Sequence, residues 1–436
     1  MGTSPKRHLP CHSSLFVIPK ATYFLFVPLA LLNLYLFFPS VPNDPQHQQR
    51  TTAVSSSNFQ IQPTDKAEEQ KQSPAVRIPC DYADGRWVPK PGVPTYDDAS
   101  CTTIKSGQNC MAHGRPDTGY LHWRWQPAAC RLPAFSAANF LRLLANKHLS
   151  FVGDSLARNQ MESLLCLVAS YAGPPDLVYR REQDKFRRWV FRSHNATVSI
   201  YWSPFLVNGT EQSPTAGRVQ NHMHLDAADE RWAAELGEMD VLVISAGHWF
   251  LLPTVFYTGG EVVGCHHCGG LNRSESGFFE GFRRAVRTAL GAAVGGMAEG
   301  GMAVVATFSP AHFEGEWDKA GACSKVEPFR EGEKEMEYMD REMWRIGVEE
   351  VASAVAAVER VRVEVLDVTR MAMMRPDGHP GPYMHARPFE GGAKERVQND
   401  CVHWCLPGPI DAWNEVLLEL LKRWREEEGD VAVAAS

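Results

Sequence analysis

The segment HLSFVGDSLARNQMESLLCLVAS, residues 148–170, contains the clearest strand–turn–helix pattern of this chain. Its first five residues, His148 to Val152, are mostly apolar and predict a buried strand. A turn at Gly153 follows, and the run LARNQMESLLCLVAS then predicts a helix. Ser155 is therefore expected at the C-terminal end of a strand, with the backbone N–H groups and the positive dipole end of a helix behind it.

Three further apolar runs predict buried strands: VLVISAG at 241–247, MAVVATF at 302–308 and VRVEVLDV at 361–368. Helical stretches such as GFRRAVRTALGAAV and EKEMEYMDREMWRIGVEEVASAVAAV lie between them. Strands that alternate with helices predict an α/β fold, with a parallel sheet and helices on both faces. We expect residues 132–436 to form this catalytic domain, with its site at the carboxyl ends of the strands.

Residues 76–131 have a different composition, dense in Cys, Trp, Tyr, Gly and Pro and without a long helical period. This pattern predicts an irregular, disulfide-tied subdomain before the α/β domain. The whole chain has 436 residues, of which 44% are hydrophobic and 22% charged, a globular balance. Its net charge is −7 and no dense basic block follows the N-terminus, so a nucleic-acid partner is not expected.

The N-terminal region contains an apolar run, ATYFLFVPLALLNLYLFF at 21–38, without a charged residue. As a helix it would extend roughly 27 Å, close to the thickness of a bilayer core. Basic residues up to Lys20 place the tail, residues 1–20, in the cytosol, which predicts a single-pass type II anchor. A cleaved signal peptide is the alternative, although its apolar core is usually shorter. Residues 39–75, rich in Pro, Gln, Ser and Thr, predict a flexible stem.

Ten of the eleven cysteines follow the anchor and would lie in an oxidising lumen, while Cys11 precedes it. They allow up to five disulfides, whose pairing cannot be deduced from spacing. The ten are Cys80, Cys101, Cys110, Cys130, Cys166, Cys265, Cys268, Cys323, Cys401 and Cys405. CHHC at 265–268 and CVHWC at 401–405 are alternative zinc ligands, but in a lumen we expect disulfides and no metal. Three sequons agree with secretory passage, at Asn195, Asn208 and Asn272.

Ser155 needs a base to remove its proton, and a third group to fix the tautomer of that base. The segment NDCVHWC places Asp400 three residues before His403. On a helical turn this spacing brings the Cβ atoms to about 5–6 Å, so the carboxylate can accept the imidazole N–H. The alternative is that Asp400 caps a turn and His403 packs in the core.

Oxyanion or acceptor contacts are expected from residues beside Ser155 and from those that follow the strand at 241–247. The candidates are Gly153, Asp154, Arg158, Asn159, Gly247, His248 and Trp249. Each has a structural alternative, since Gly247 can simply end a strand, His248 and Trp249 can pack a loop, and Arg158 and Asn159 can make surface contacts.

Two blocks, GDSLARNQMESLLCL and NDCVHWCLPGPIDAWNEVL, resemble the signatures of the plant trichome-birefringence-like family of polysaccharide O-acetyltransferases. Four further segments are similar to the branch that acetylates xyloglucan: CTTIKSGQNCMAHGRPDTGYLHWRWQPAAC, DKFRRWVFRSHNATVSIYWSPFLV, TFSPAHFEG and RPDGHPGPYM. The resemblance extends over about residues 78 to 425.

This resemblance implies a GDSL/SGNH esterase-like fold, a Golgi membrane anchor with a lumenal catalytic domain, and disulfides. It also implies a two-step acetyl transfer, with Ser155 as nucleophile, His403 as base and Asp400 as the residue that orients it. The implied partners are a xyloglucan acceptor, at its galactosyl side chain or glucosyl backbone, and an acetyl donor, acetyl-CoA or another; no bound cofactor is expected. Trp123, Trp125, Trp202 and Trp249 either stack on sugar rings or pack in the core.

Three alternatives remain open for the function. Xylan, mannan or pectin can replace xyloglucan as the acceptor, because related branches of the resembled family use them. The same catalytic trio also suits an acetyl esterase of cell-wall polysaccharide. The third is a non-catalytic polysaccharide-binding protein in which the trio is a relic.

Overall fold

The computed structural model describes residues 80–213, 217–269, 275–356, 360–392 and 396–434. The predicted tail, anchor and stem, and the sequon at Asn272, lie outside these ranges. Within them, no helix combines the length and apolar character needed to cross a bilayer.

Strands and helices alternate through most of the described chain. The strands are β1 (Gly85–Pro89), β2 (Trp123–Pro127), β3 (His148–Gly153), β4 (Asp176–Arg181), β5 (Phe186–Phe191), β6 (Ala196–Trp202), β7 (Val207–Thr210), β8 (Asn221–Ala228), β9 (Val241–Ser245), β10 (Thr254–Thr258), β11 (Glu261–His266), β12 (Met302–Ala306) and β13 (Arg362–Leu366). The α-helices are α1 (Ala137–Leu143), α2 (Ser155–Ala172), α3 (Glu230–Ala233), α4 (Phe279–Gly296), α5 (Tyr338–Val355), α6 (Thr369–Met373) and α7 (Asp411–Ala434).

The central sheet has seven strands in the order β13-β12-β9-β3-β6-β5-β4. The first five of these are parallel, which confirms the predicted α/β class. β5 and β4 extend the sheet in antiparallel fashion, because the short connection between them permits only a hairpin. A second sheet, in the order β11-β10-β8-β7, was not predicted; it is mixed, with β10 and β8 parallel.

Helices cover both faces of the central sheet, as predicted. Leu149 and Phe151 of β3 are fully buried in a core that also contains residues of α2 and α7. Val152, the next residue of the same strand, belongs to a second core with residues of α4 and α5. Successive side chains of a strand point to opposite faces, so one apolar strand supplies both cores.

The N-terminal subdomain contains the β1–β2 ribbon, where Trp87 and Trp125 pack edge to face with ring centroids 5.7 Å apart. All ten cysteines beyond the stem form disulfides: Cys80–Cys130, Cys101–Cys166, Cys110–Cys405, Cys265–Cys268 and Cys323–Cys401. Two of these bridges leave the subdomain, one to α2 and one to the C-terminal Asp-x-x-His segment. The disulfides therefore fasten the subdomain to the catalytic domain as well as within itself.

Asn195 and Asn208 differ in accessibility. Asn195 is exposed in a left-handed turn before β6, with a φ of 48°. Asn208 lies on β7, is partly buried, and accepts a hydrogen bond from the Glu230 N–H.

Candidate active site

β3 is where the order of the central sheet reverses, since β6 pairs with one of its edges and β9 with the other. Such a reversal opens a crevice at the carboxyl ends of the strands, which is where ligands bind in open α/β sheets. Gly153 ends β3 with a φ of 153°, and a Cβ built there would lie only 1.7 Å from Ser245 O. Only glycine therefore allows β3 and β9 to approach this closely beside Ser155.

Asp154 fixes the turn between β3 and α2. Its Oδ1 accepts the N–H of Leu156 at 2.9 Å, as an N-cap does, and its Oδ2 accepts the N–H of Gly247 at 3.0 Å. The carboxylate thus joins the start of α2 to the end of β9 and is not directed at a substrate. This corrects the expectation that Gly247 N–H serves as an oxyanion donor, because that hydrogen is already donated to Asp154.

Ser155 is the first residue of α2 and is partly exposed. Its N–H has no intrahelical acceptor, as for every first helical residue, and it donates to no other group of the described chain. The Ser155 hydroxyl likewise makes no hydrogen bond within the described residues. A free hydroxyl and a free N–H at a positive helix end suit a nucleophile whose intermediate carries an oxyanion.

The Asp400–His403 contact forms, but on a non-helical bend and not on the helical turn assumed from the spacing. Asp400 Oδ2 accepts the Nδ1–H of His403 at 2.7 Å, and Oδ1 accepts the N–H groups of His403 and Val402. Burial by itself would raise the pKa of Asp400, but the charge of His403 and these hydrogen bonds hold that pKa well below its usual value. The carboxylate therefore stays ionised and directs the lone pair of the imidazole to Nε2. His403 Nε2 is buried and has no hydrogen-bond partner among the described residues.

Asn159 holds the His403 segment against α2. Its Oδ1 accepts the N–H of Trp404 at 2.7 Å, and its Nδ2 donates to the Trp404 carbonyl at 3.2 Å. Asn159 lies four residues after Ser155, which is about 6 Å along the helix. This two-point contact joins the residue after His403 to the helical turn after Ser155, although the two segments lie 245 residues apart in sequence.

Two buried histidines, one of them in direct contact with the His403 backbone, support the segment that contains His403. His379 Nδ1 donates to the His403 carbonyl at 2.7 Å, and the His379 ring stacks on Trp404 with centroids 4.3 Å apart. The other nitrogen of His379 lies 2.7 Å from Nδ1 of His312, and the two residues are almost fully buried. They are positioned to set the orientation of the His403 backbone without reaching the site themselves.

His248 and Arg158 border the site in different ways. His248 Nε2 donates to the Ser309 carbonyl at 2.9 Å, and burial lowers the pKa of His248, so its ring is neutral and held in place. Burial also raises the pKa of Asp154, against the opposing effects of His248 and His403. The Arg158 guanidinium stacks on Trp202, 4.7 Å from the ring centroid, and donates no hydrogen bond within the described residues. Arg158 is thus a free donor beside Ser155.

The four tryptophans separate into packed and accessible residues. Trp125 and Trp202 are buried, and Trp249 packs edge to face against Trp202 and Phe205, so these three follow the core alternative. Trp123 is partly exposed and lines a small cleft of about 90 Å³ between the N-terminal subdomain and α7. Leu167 of α2 lines the same cleft, twelve residues and about 18 Å along the helix from Ser155. The cleft is therefore separate from Ser155.

Sequence reasoning missed the residues that support the site from a distance. His312 and His379 received no role, although they lie in TFSPAHFEG and RPDGHPGPYM, two segments that carry the family resemblance. Arg115 was also missed; its guanidinium donates to the carbonyls of His379 and Asp377. Buried polar residues inside resembling segments were the signal that could have found all three.

Comparison with known proteins agrees with this geometry. The PC-Esterase family, described as a GDSL/SGNH-like acyl-esterase family found in Pmr5 and Cas1p, matches residues 132–420, and the PMR5 N-terminal domain matches residues 79–131. Xyloglucan O-acetyltransferase 1 of Populus trichocarpa is 53% identical, covering 93% of each chain. Xyloglucan O-acetyltransferase 1 of Arabidopsis thaliana is 47% identical, covering 98% of this chain and 100% of the relative.

Protein trichome birefringence-like 25 of Arabidopsis thaliana is 41% identical, covering 79% of this chain and 77% of the relative. Together, the family match and these relatives extend over the parallel sheet, Ser155 and the Asp400–His403 pair. The chain therefore belongs to the GDSL/SGNH-like acyl-esterase family found in Pmr5 and Cas1p, in the branch that contains the trichome-birefringence-like proteins.

Proposed function

We propose that this chain is a polysaccharide O-acetyltransferase that moves an acetyl group onto hydroxyls of xyloglucan, at the galactosyl side chain or the glucosyl backbone. The names of relatives that are 47% and 53% identical over nearly the whole chain support xyloglucan as the acceptor. The observation that carries the chemistry is the 2.7 Å contact between Asp400 and His403, on a segment that Asn159 holds to the Ser155 helix.

In the first proposed step, Ser155 Oγ attacks the carbonyl carbon of the acetyl donor while His403 Nε2 takes the hydroxyl proton. The tetrahedral intermediate then collapses, the bond to the donor's leaving group breaks, and His403 returns the proton to that group. The product is an acetyl ester on Ser155. The free N–H of Ser155 and the positive end of α2 support stabilisation of the oxyanion that forms on the way.

In the second proposed step, a sugar hydroxyl replaces the leaving group. His403 Nε2 removes its proton, the sugar oxygen attacks the acetyl carbon, and Ser155 leaves with the proton that His403 gives back. Asp400 remains ionised throughout, because its pKa is held low, and stabilises the imidazolium that forms twice in each cycle. We assign Arg158, with its free guanidinium beside Ser155, to contact a substrate oxygen.

Water competes with the sugar for the acetyl-serine. A bound, oriented hydroxyl reaches an effective concentration of about 10⁵ M or more, far above that of water, so a well-placed acceptor wins. The description of the family as acyl-esterases favours one second candidate, removal of acetyl groups from cell-wall polysaccharide. The two functions differ only in whether the acceptor is held well enough to exclude water. The acetyl donor is acetyl-CoA or another activated acetyl compound.

The test incubates the purified full-length protein with an acetyl donor and xyloglucan oligosaccharide, and follows the products by mass spectrometry. We expect an acetylated sugar from the wild type and from Ser170→Ala, a control on the exposed end of the same helix. Ser155→Ala should lose both this product and labelling by a serine-directed acylating probe. Unchanged transfer by Ser155→Ala refutes the nucleophile. Free acetate alone supports the esterase, and probe labelling without either product supports neither enzyme.

We also propose that the protein is a single-pass type II membrane protein of the Golgi with a lumenal catalytic domain. The uncharged run at residues 21–38 supports this topology. The exposed sequon at Asn195 gives a test, because a lumenal domain should acquire a glycan there. A mobility shift that a glycosidase removes and that Asn195→Gln abolishes is expected; its absence from both Asn195 and Asn208, after secretory expression, would contradict a lumenal domain.

A further inference from the structure

Three side chains with metal-binding atoms meet at one edge of the second sheet. They are His266 and His267, at the end of β11, and Glu275, four residues before α4. One nitrogen of each histidine and one oxygen of Glu275 all lie within 4.8 Å of one another. None of the three has a part in the acetyl transfer proposed above.

The distances fit a shared cation better than a hydrogen bond. His266 Nδ1 lies 3.3 Å from Glu275 Oε1, and His267 Nδ1 lies 3.8 Å from the same oxygen. His266 is only 7% exposed, yet its Nδ1 has no hydrogen-bond partner among the described residues. Tetrahedral ligand atoms at the usual 2.0–2.2 Å from zinc are about 3.4 Å from one another. A buried imidazole nitrogen without a hydrogen-bond partner, at ligand spacing from a carboxylate, is a suitable ligand for a shared cation.

The fold holds these groups in place from several sides. Ser276 N–H donates to the Cys265 carbonyl at 2.9 Å, and the Cys265 N–H donates to Ser276 Oγ at 3.1 Å, which fixes the backbone beside Glu275. The His267 N–H donates to Glu275 Oε1 at 3.1 Å. His267 has a φ of 48°, a left-handed conformation that residues other than glycine rarely adopt, and strain of this kind concentrates at functional sites.

The Phe278 ring packs edge to face on His266 with centroids 5.0 Å apart, which holds the imidazole in place beside Glu275. Cys265 and Cys268 pair with each other, so the thiolates of the CHHC motif are not available and the imidazoles remain.

We propose that His266, His267 and Glu275 bind a divalent cation of the borderline class, Zn²⁺ being the best match to two imidazoles and one carboxylate. This departs from the sequence-based expectation of no metal. The side chains of His267 and Glu275 are 64% and 50% exposed, so the fourth coordination position faces solvent and takes water. The ion joins β11 to the chain entering α4.

The test measures zinc in the purified full-length protein after chelation and dialysis against Zn²⁺, by elemental mass spectrometry and by calorimetric titration. One equivalent per chain is expected for the wild type. Glu275→Gln and His267→Asn should each weaken binding by about 10-fold or more, since each removes a direct ligand. Glu261→Gln and His224→Asn, exposed residues of the same sheet outside the cluster, should bind like the wild type.

Glu275→Gln and His267→Asn fall on exposed side chains, so circular dichroism is expected to show that these two variants remain folded. Absence of zinc from the wild type overturns the site. Equal zinc affinity in the wild type, Glu275→Gln and His267→Asn overturns the ligand assignment. An equal loss of zinc affinity in Glu261→Gln and His224→Asn also overturns the ligand assignment, because the effect would then not depend on the cluster.

Discussion

Two imidazole–carboxylate pairs in this chain contain the same functional groups and differ in geometry. In the Asp400–His403 pair the heavy atoms are 2.7 Å apart, and the other carboxylate oxygen accepts two backbone N–H groups. In the His266–Glu275 pair the separation is 3.3 Å, and the imidazole nitrogen has no hydrogen-bond partner among the described residues.

The difference shows what each pair is suited to do. A short contact with a donated proton fixes one tautomer and leaves the opposite nitrogen as a base. A longer contact between two lone pairs leaves room for a cation. Residue type by itself therefore does not separate a proton-transfer pair from a metal site; the distance between the imidazole nitrogen and the carboxylate oxygen, and the position of the proton, do.

Replacing an imidazole with an amide should give the largest difference in transfer rate between the two sites. His403→Gln removes the base, and we expect transfer to fall by about 10⁵-fold or more, as for base removal in other serine enzymes. His267→Gln should leave the rate within about twofold, since it lies outside the proposed proton path. Initial rates with xyloglucan oligosaccharide measure both, and a comparable loss in the two variants would abolish the distinction.

Replacing the carboxylates should also change the transfer rate in one pair and not in the other. Asp400→Asn loses the charge that stabilises the imidazolium and can favour the wrong tautomer, so the rate should fall by about 10⁴-fold. Glu275→Gln should retain the rate and lose zinc. Rates and zinc content measured on the same preparations compare the two; full activity in Asp400→Asn would exclude Asp400 as the orienting residue.

A smaller effect is expected from the contact that holds the His403 segment. Asn159→Ala leaves the Trp404 N–H and carbonyl buried without partners, which should cost roughly 2–4 kcal/mol of unfolding free energy. Asn159→Asp keeps the acceptor for the Trp404 N–H but places a carboxylate oxygen against the Trp404 carbonyl in a fully buried position, so it should also be destabilised. Denaturant unfolding gives these values, with Asn139→Ala as the control on partly exposed α1. Equal stability of Asn159→Ala and wild type would show that the two-point contact is not needed.

The smallest effect is that of pH on the Asp400–His403 pair. Because the pKa of Asp400 is lowered on folding, its contribution to stability is complete above the unfolded value of about 3.9 and is lost as pH falls below it. Denaturant unfolding of the wild type and Asp400→Asn between about pH 2 and pH 7 measures this contribution. A stability difference between the two proteins that does not shrink as the pH falls would contradict it.

Much of the fold could be predicted because it depends on short sequence separations. The apolar run at 148–152, the turn at Gly153 and the helix after Ser155 form as expected, as do the strands β9, β12 and β13. The parallel strand β6, the antiparallel extension by β4 and β5, and the second sheet were missed. β8 alternates between buried and accessible positions, and every residue of β4 is exposed. These strands therefore lack the continuous apolar run that predicts a buried strand.

The candidate site also combines contacts that could be predicted from the sequence with contacts that could not. The Asp400–His403 contact could be predicted from a spacing of three residues. The Gly247 N–H was expected to face a ligand, but it donates to the carboxylate of Asp154, which lies 93 residues away in sequence. Asn159 was expected to contact a substrate and instead holds Trp404. The partner of a polar group depends on which other groups the fold brings near it.

Residues close together in the chain specify a serine at the start of a helix and an aspartate three residues before a histidine, and composition supplies cysteines for five bridges. The pairing of those cysteines depends on the folded chain. So do the backbone groups that Asp154 and Asn159 bind, and the meeting of His266, His267 and Glu275. The reason is physical. Contacts within a few residues follow from the geometry of one helix or turn, whereas contacts across hundreds of residues depend on the path of the whole chain through its two cores.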